Sequence, residues 1–277
     1  MEDSNNRSLA AAGPGVATLD KDARATTTAL VTGASSGIGV EIARELARRG
    51  HAVTLVAREA DRLRDVAAEI SDQHGVRAEW IAINLTNASE RDRLPSEIAG
   101  RGQVVDLLVN DAGMGTKGRF QELPLSREIE LVRLNVETVV ALCGAFVPGM
   151  VKRGRGAVLN VASVSAFMPV PRQATYCASK AFVLAFTEAL TLDLHGTGVT
   201  ATALCPGPVK TNFGGLIAGL PDALFVDPAR VAREAIDGLE RGRRTVIPGA
   251  ANALNAIFGQ YVPRGVFLSF ARRFWPT

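Results

Sequence analysis

The chain has 277 residues, 47% of them hydrophobic, and a formal net charge of +3. This length and hydrophobic content suit one large α/β domain and do not require a second one. Scattered arginines and only 5% aromatic residues argue against nucleic-acid binding. Three widely spaced cysteines, Cys143, Cys177 and Cys205, argue against a disulfide framework and against a tetrahedral metal site. We therefore expect a metal-free protein of the reducing cytoplasm.

The first residues are polar and contain a Gly-Pro-Gly turn. They have no continuous apolar run, so they resemble neither a signal peptide nor a membrane span. We predict a disordered tail over residues 1–27.

From residue 28 onward, short β-rich runs alternate with longer helical stretches, which is typical of a parallel sheet. The predicted strands are 28–32, 52–57, 78–83, 105–110, 156–163, 199–205 and 244–248. The predicted helices are 37–49, 61–74, 88–100, 126–153, 174–195 and 228–241. We predict one Rossmann-type doubly wound α/β domain over residues 28–250, with a seven-stranded parallel sheet and helices on both faces. Such sheets bind ligands at the carboxyl ends of their strands.

A glycine-rich turn, TGASSGIG, follows the first strand and leads into the first helix. Gly33, Gly37 and Gly39 let the backbone approach a phosphate closely, and the N-terminus of the helix attracts anions, so we expect a pyrophosphate here. The glycine spacing differs from the G-x-G-x-x-G fingerprint. A tight turn without a ligand is the alternative.

The same residues match G-x-S-x-G, the nucleophile elbow of α/β hydrolases, with Ser35 as nucleophile. That fold places several strands before its nucleophile, whereas only a polar tail precedes this one. It also needs a histidine in a late loop, and the chain has only His51, His74 and His195. We keep the hydrolase as a remote alternative.

Arg58 follows the second strand, where an acidic residue would bind the ribose hydroxyls of NAD. An arginine can instead bind a 2′-phosphate through its planar guanidinium, which favours NADP(H) over NAD(H). Glu59 follows directly and weakens this inference. A solvated surface arginine is the alternative.

Tyr176 lies four residues before Lys180 in YCASK. On a helix, residues at this spacing lie on one face, so an ammonium near the phenol would lower the tyrosine's pKa and suit it to general acid catalysis. The alternative is an aromatic core residue beside a solvated lysine.

These motifs occur together in the order TGASSGIG (32–39), NDAG (110–113), Asn135, Ser163, YCASK and PGPVKT (206–211). The ordered set resembles the classical short-chain dehydrogenase/reductase family. The resemblance implies interconversion of a ketone and a secondary alcohol by hydride transfer, with NADP(H). It also implies a homodimer or homotetramer, formed through helices 126–153 and 174–195.

The resemblance assigns four catalytic residues. Tyr176 would be the acid/base, Lys180 would lower its pKa and bind the nicotinamide ribose, Ser163 would polarise the carbonyl, and Asn135 would hold a water in the proton relay. The implied cofactor-binding residues are Gly33, Ser35, Ser36, Gly37, Ile38, Gly39, Arg58, Asn84, Leu85, Asn110, Ala112, Gly113, Tyr176, Lys180, Pro206, Gly207, Val209 and Thr211.

Two positions depart from the commonest family pattern. Asp111 replaces a second asparagine, which we expect to affect sheet stability more than chemistry. Asn84 replaces a frequent aspartate, and its carbonyl oxygen can still accept a hydrogen bond from the adenine amine. The alternative for the whole set is a sensor or scaffold that binds NADP without turnover.

Residues 212–226 are apolar, contain several glycines and stand where the family has its substrate lid. The apolar segment 166–171 would line the same cleft. We therefore expect an apolar carbonyl or alcohol substrate such as a 3-oxoacyl chain, a steroid or a lipid-derived ketone. Core packing explains these residues equally well.

Residues 251–277 form an amphipathic, aromatic and basic extension that is too short and too charged to span a bilayer. It can lie peripherally on a membrane surface, cover the substrate cleft or contact a neighbouring subunit.

Overall fold

The computed structural model describes residues 27–210 and 225–274. The seven strands are β1 (Thr27–Thr32), β2 (Val53–Ala57), β3 (Ala78–Ala82), β4 (Val104–Asn110), β5 (Gly156–Val161), β6 (Val199–Leu204) and β7 (Thr245–Val246). They form one parallel sheet in the order β3-β2-β1-β4-β5-β6-β7. The predicted seven-stranded doubly wound sheet is confirmed. The first strand begins at Thr27, which the sequence analysis had placed in the tail.

The helices are α1 (Gly37–Arg48), α2 (Ala60–His74), α3 (Ala88–Arg91), α4 (Leu94–Gly100), α5 (Leu125–Val132), α6 (Thr138–Arg153), α7 (Ala174–Asp193), α8 (Pro228–Glu240), α9 (Ala250–Tyr261) and α10 (Arg264–Phe274). Buried residues of α1, α2 and α8 pack on one face of the sheet. Those of α4, α6 and α7 pack on the other face. Neighbouring residues of β1 belong to opposite faces, since Val31 packs with the first group and Leu30 with the second.

Two predicted helices differ from the observed ones. Residues 88–100 form two helices, because Pro95 in the first turn of α4 would clash with the carbonyl of Arg91, the last residue of α3. Residues 125–153 are continuously helical, but a π-helical turn, Arg133–Glu137, joins α5 to α6. This turn contains Asn135, and π-helical turns are frequent at functional sites.

The helical run Leu125–Arg153 is long and apolar enough to cross a membrane by length and composition. Buried residues of its α6 part, such as Leu142 and Met150, pack against the sheet, where α6 contacts β4 and β5. In this fold it is therefore one of the helices that cover the sheet.

The strand order reverses between β1 and β4, and open α/β sheets bind their ligands at the carboxyl ends of the strands where this happens. Farther along the same edge, Val209 and Val226 form an isolated parallel bridge, and the Val226 N–H donates to the Pro208 carbonyl at 2.9 Å. Thr211 and nearly all of the predicted lid lie between these two residues, outside the described part of the chain.

Candidate active site

The glycine-rich turn brings the start of α1 close to the end of β4. Gly33 and Gly37 have φ values of 71° and 63°, which glycine adopts without strain. A Cβ at Gly33 would lie 2.9 Å from the backbone nitrogen of Ala112. Helix α1 begins without a side-chain cap and without an acidic residue in its first turn. The Gly39 N–H bonds the Asp111 carboxyl, and the other N–H groups of this first turn and the helix dipole fit the pyrophosphate of a dinucleotide.

Thr32 connects β1 to the segment that follows β4. Its Oγ1 donates to the Val109 carbonyl at 3.2 Å and accepts from the N–H groups of Asp111 and Ala112, both at 3.1 Å. The residue is 1% exposed. Thr32 belongs to the predicted glycine motif, but no role was predicted for it; its place at the end of β1 was the available signal.

Asn135 connects the π-helical turn to two other parts of the site. Its Nδ2 donates to the Met114 carbonyl at 2.9 Å and to Ser179 Oγ at 3.0 Å, and its Oδ1 accepts from the Met114 N–H at 2.9 Å. Ser179, which the sequence analysis missed, donates to the Tyr176 carbonyl at 2.7 Å. Because both amide hydrogens of Asn135 are used within the protein, its side chain orients the site, and its role in holding a water stays a prediction.

Ser163, Tyr176 and Lys180 lie together beyond the end of β5. The hydroxyl groups of Ser163 and Tyr176 hydrogen-bond to each other, and Ser163 Oγ also accepts from the Ser165 N–H at 3.1 Å. Tyr176 and Lys180 lie one turn apart on α7, and Lys180 Nζ is 5.9 Å from the centroid of the tyrosine ring. Nζ donates to the Val161 carbonyl at 2.8 Å. The structure thus places these three predicted catalytic residues around one point.

The pKa of Tyr176 shifts in the direction opposite to our prediction. Burial raises it to about 12, although the Ser163 hydrogen bond acts to lower it. The ammonium of Lys180 does not compensate, because burial lowers the pKa of Lys180 itself to about 8 and its Nζ is bonded to the Val161 carbonyl. The phenol is therefore protonated at neutral pH.

Asp111 introduces a carboxyl group that faces both the glycine turn and Lys180. It accepts a hydrogen bond from the Gly39 N–H, and burial raises its pKa to about 7 even though the charge of Lys180 acts to lower it. A Cβ at Gly39 would lie 2.7 Å from Asp111 Oδ2, so this glycine is required sterically. We expected Asp111 to affect sheet stability more than chemistry; in the structure its charge also acts on Lys180.

At the expected adenosine end, Arg58 is exposed directly after β2. Within the part of the chain that the structure describes, no ion pair involves Arg58, and Glu59 lies 4.0 Å from Arg62 instead. The Oδ1 of Asn84 accepts from both the N–H and the hydroxyl of Thr86, at 3.2 and 2.8 Å. Both lone pairs of that oxygen are therefore used, and an adenine contact would have to displace one of these bonds.

Leu85 and Asn110 have inward-facing side chains. Leu85 is 3% exposed and packs in the core, and Asn110 Nδ2 donates to Asn160 Oδ1 at 2.8 Å. The Leu85 side chain therefore has no polar group for a cofactor, whereas Asn110 Oδ1 is buried without a hydrogen-bond partner among the described residues. Gly113, in contrast, leaves space beside the site: a Cβ there would lie 3.3 Å from Asn135 Oδ1 and 3.5 Å from Lys180 Nζ.

The segment after β6 lies beside Ser163, since the Val164 N–H donates to the Pro206 carbonyl at 3.0 Å. Gly207 packs directly on the carboxamide of Asn252, and a Cβ at Gly207 would overlap it. Asn252 belongs to α9, so the first turn of the C-terminal extension supports the predicted nicotinamide-binding segment. The sequence analysis missed Asn252, and no motif marked it.

The hydrolase alternative is not supported by the positions of the histidines. Ser35 follows β1 at the carboxyl edge of the sheet, whereas His51, His74 and His195 precede β2, β3 and β6 and so lie toward the amino edge. A triad with Ser35 would have to span the sheet.

Comparison with known proteins agrees with this geometry. The family model for short chain dehydrogenases matches residues 27–217. The chain is 34% identical over 184 residues to "Probable oxidoreductase EphD" of Mycobacterium tuberculosis, covering 66% of this chain and 31% of that protein. It is 36% identical over 189 residues to "Very-long-chain 3-oxoacyl-CoA reductase" of Bos taurus, covering 67% of this chain and 60% of that protein. The chain thus spans less than two thirds of the length of these curated relatives.

A solved structure, a short-chain dehydrogenase from Sphingobium yanoikuyae in complex with NADPH, superposes with a TM-score of 0.75 at 32% identity. The alignment covers 91% of this chain and 98% of that one. The family match, the parallel sheet and the grouping of Ser163, Tyr176 and Lys180 agree, and the chain belongs to the short-chain dehydrogenase family.

Proposed function

We propose that the protein is an NADP(H)-dependent oxidoreductase that interconverts a ketone and a secondary alcohol on an apolar substrate. One observation carries this proposal: the hydroxyl groups of Ser163 and Tyr176 are hydrogen-bonded to each other, next to Lys180 and at the same sheet edge as the glycine turn. A carbonyl oxygen at this point can accept hydrogen bonds from both hydroxyls.

The chain's own part in the reaction is proton transfer and orientation. Tyr176 carries its proton at neutral pH because its pKa lies well above 7, so the phenol can donate to a carbonyl oxygen as a general acid. Ser163 polarises that oxygen, and donors in comparable positions lower the barrier by about 3 kcal/mol. Lys180, held by the Val161 carbonyl, can return a proton to the tyrosine.

The glycine turn, the start of α1, where Ser36 makes no side-chain cap, and the space left by Gly113 suit a dinucleotide that extends from the glycine turn to Lys180. When bound, a nicotinamide cofactor supplies or accepts the hydride. The NADPH complex of the Sphingobium relative supports this type of cofactor.

The preference for NADP(H) over NAD(H) rests on Arg58. Its guanidinium is exposed directly after β2 and is not engaged in an ion pair with any described residue, so it is available for a 2′-phosphate. A charge-assisted bond of this kind contributes about 1.5–3 kcal/mol, which corresponds to roughly a tenfold to hundredfold preference.

An apolar substrate is supported by the wall next to Tyr176. Met114 and Val170 pack against a buried cluster formed by Leu131, Tyr176 and Cys177. The relative from Bos taurus is named as a reductase of very-long-chain 3-oxoacyl-CoA. A ketone on a long apolar chain fits both observations.

We also propose that the protein is a homodimer or homotetramer. The helices expected to form the contact carry several exposed apolar side chains, namely Leu125, Ile129, Val132, Val140, Val151, Phe182 and Leu192. Exposed apolar patches of this kind mark interaction surfaces.

The test is oxidation of NADPH and, separately, of NADH by the purified protein across ketones and 3-oxoacyl thioesters of increasing chain length. We expect faster turnover with NADPH and with longer chains. Tyr176→Phe should lower kcat roughly a hundredfold or more while the protein still binds NADPH. Arg58→Leu should remove the preference for NADPH and leave turnover with NADH unchanged.

Two results would contradict the proposal. A preference for NADH in the unaltered protein would overturn the role of Arg58. Tight NADPH binding without turnover of any carbonyl would favour the sensor or scaffold function instead.

A further inference from the structure

Helix α9 exposes the large apolar residues that an ordinary amphipathic helix would bury. Its buried residues are Asn252, Ala256 and Gly259, which are small or polar. Its outward residues are large and apolar, with exposed fractions of 68% for Leu254, 52% for Ile257, 50% for Phe258 and 74% for Tyr261. In a soluble protein the large apolar residues of a helix face the core.

Helix α10 continues the same surface. Val266 and Leu268 are 60% and 54% exposed, whereas Phe267 is buried and its ring lies 6.5 Å from that of Phe258. We call the six exposed residues the C-terminal apolar surface: Leu254, Ile257, Phe258, Tyr261, Val266 and Leu268. The contact between Phe258 and Phe267 joins its two halves.

The charged residues of this region are all basic. Residues 250–277 contain no aspartate or glutamate and three arginines, Arg264, Arg272 and Arg273. Since the net charge of the chain is +3, the rest of the protein is neutral on balance, and the C-terminal stretch carries the whole excess. Arg264 and Arg273 are exposed.

This combination points to an anionic lipid surface. An interfacial helix buries its apolar face at the boundary of the acyl chains, and its basic residues are attracted to anionic headgroups. A second copy of the chain seated symmetrically on the same surface would bring the two sets of arginines together and would repel it. With 12 and 11 residues, α9 and α10 are about 18 and 16 Å long at about 1.5 Å per residue, too short to cross a bilayer.

The inner face of α9 contacts the walls of the active site. Asn252 contacts Gly207, and a Cβ at Gly259 would lie 2.8 Å from the Met168 side chain. Met168 belongs to the segment between Ser163 and Tyr176. The C-terminal apolar surface is therefore the outer side of the structure that borders the substrate cleft.

We propose that the C-terminal apolar surface is a peripheral membrane contact that rests on an anionic bilayer and brings the cleft next to lipid-borne ketones. The second half of this statement rests on the proposed function, whereas the membrane contact stands independently of it.

The test is flotation of the full chain with vesicles of phosphatidylcholine alone and of phosphatidylcholine mixed with phosphatidylglycerol. We expect binding to the anionic vesicles that weakens as salt is added. The double variant Ile257→Ser/Tyr261→Ser should reduce binding roughly tenfold or more, because it removes two apolar contacts with the bilayer. Arg264→Gln/Arg273→Gln should reduce binding to anionic vesicles only.

The matched control is Phe120→Ser, which alters an apolar residue of similar exposure, 56%, that belongs neither to the C-terminal apolar surface nor to the helices of the proposed oligomer contact. It should leave vesicle binding unchanged. All variants should keep the melting temperature and the NADPH oxidation rate with a water-soluble ketone; should the double serine variant not fold, Leu254→Ser replaces it.

Absence of binding to either vesicle type by the unaltered protein overturns the proposal, and so does binding that the surface variants do not weaken. If instead the serine variants dissociate an oligomer in light scattering while vesicle binding is absent, the surface is a contact between copies. Because flotation requires no turnover, loss of vesicle binding and loss of enzymatic activity are separate results.

Discussion

At the carboxyl edge of the sheet, Thr32, Asn135 and Ser179 each hydrogen-bond groups from other segments of the chain. In the C-terminal helices, by contrast, Leu254 and Tyr261 point away from the protein. In the first region, these side chains find their hydrogen-bond partners within the chain itself. The second presents apolar area that only an outside partner can cover. The two regions meet where Asn252 of α9 packs on Gly207. Substitutions in the first region and in the C-terminal helices should therefore differ in how strongly they change stability.

The largest effect is expected for Asn135→Ala. This change removes three hydrogen bonds and leaves the N–H and carbonyl of the half-buried Met114 without a side-chain partner. The free energy of unfolding should fall by about 2–4 kcal/mol, measured by urea denaturation. Asn255→Ala, an exposed asparagine on α9, is the control and should change it by less than about 0.5 kcal/mol. If both variants lose the same free energy of unfolding, the site is not held together more strongly than the C-terminal helices.

A smaller effect is expected for Gly207→Ala. The new methyl group would overlap the carboxamide of Asn252, and overpacking of this kind costs about 1–3 kcal/mol. Adding Asn252→Ala should restore part of the loss, because it removes the group that clashes. Gly100→Ala, where a Cβ meets no atom within 4 Å, serves as the control. If the double variant is no more stable than Gly207→Ala, a clash with the Asn252 side chain is not the cause of the loss.

A further effect concerns the pH dependence of stability and Asp111, a carboxyl group of the first region that faces Lys180. The pKa of Asp111 is raised from 3.8 to about 7 in the folded chain, mainly by burial, with Lys180 as the charged group facing it. Between these values the folded state retains a proton that the unfolded chain has lost. Stability should therefore fall as the pH rises from about 4 to about 7.

Asp111→Asn removes this titration, so its melting temperature should depend less on pH across that window. Parallel thermal scans of both proteins measure this. If the melting temperature of the unaltered protein instead rises between pH 4 and pH 7, and Asp111→Asn abolishes that rise, the pKa of Asp111 is not raised by folding.

The sheet and the catalytic group could be predicted because each left a local signal. All seven strands are short apolar runs bounded by turns, and each is present in the predicted order along the chain. Tyr176 and Lys180 were identifiable from their spacing on one helix face, and Ser163 and Asn135 from the resemblance.

What the sequence could not provide depends on distant contacts. The partners of Asn135 lie 21 and 44 residues away, and neither periodicity nor motif spacing indicates them. The direction of the Tyr176 pKa shift was mispredicted, because the i, i+4 geometry shows the lysine but not how far burial penalises both charges. The hydrophobic pattern of α9 indicated an apolar face, but not whether that face is buried. The opposite face is buried, because Asn252 packs on Gly207 and Gly259 packs on Met168.

The bridge between Val209 and Val226 has a consequence for how this protein can change over evolution. It is formed by backbone groups, since the Val226 N–H bonds the Pro208 carbonyl, and backbone hydrogen bonds do not depend on which side chains the residues carry. Substitutions at Pro208, Val209 and Val226 that keep the backbone course can therefore be accepted over evolution without loss of this contact.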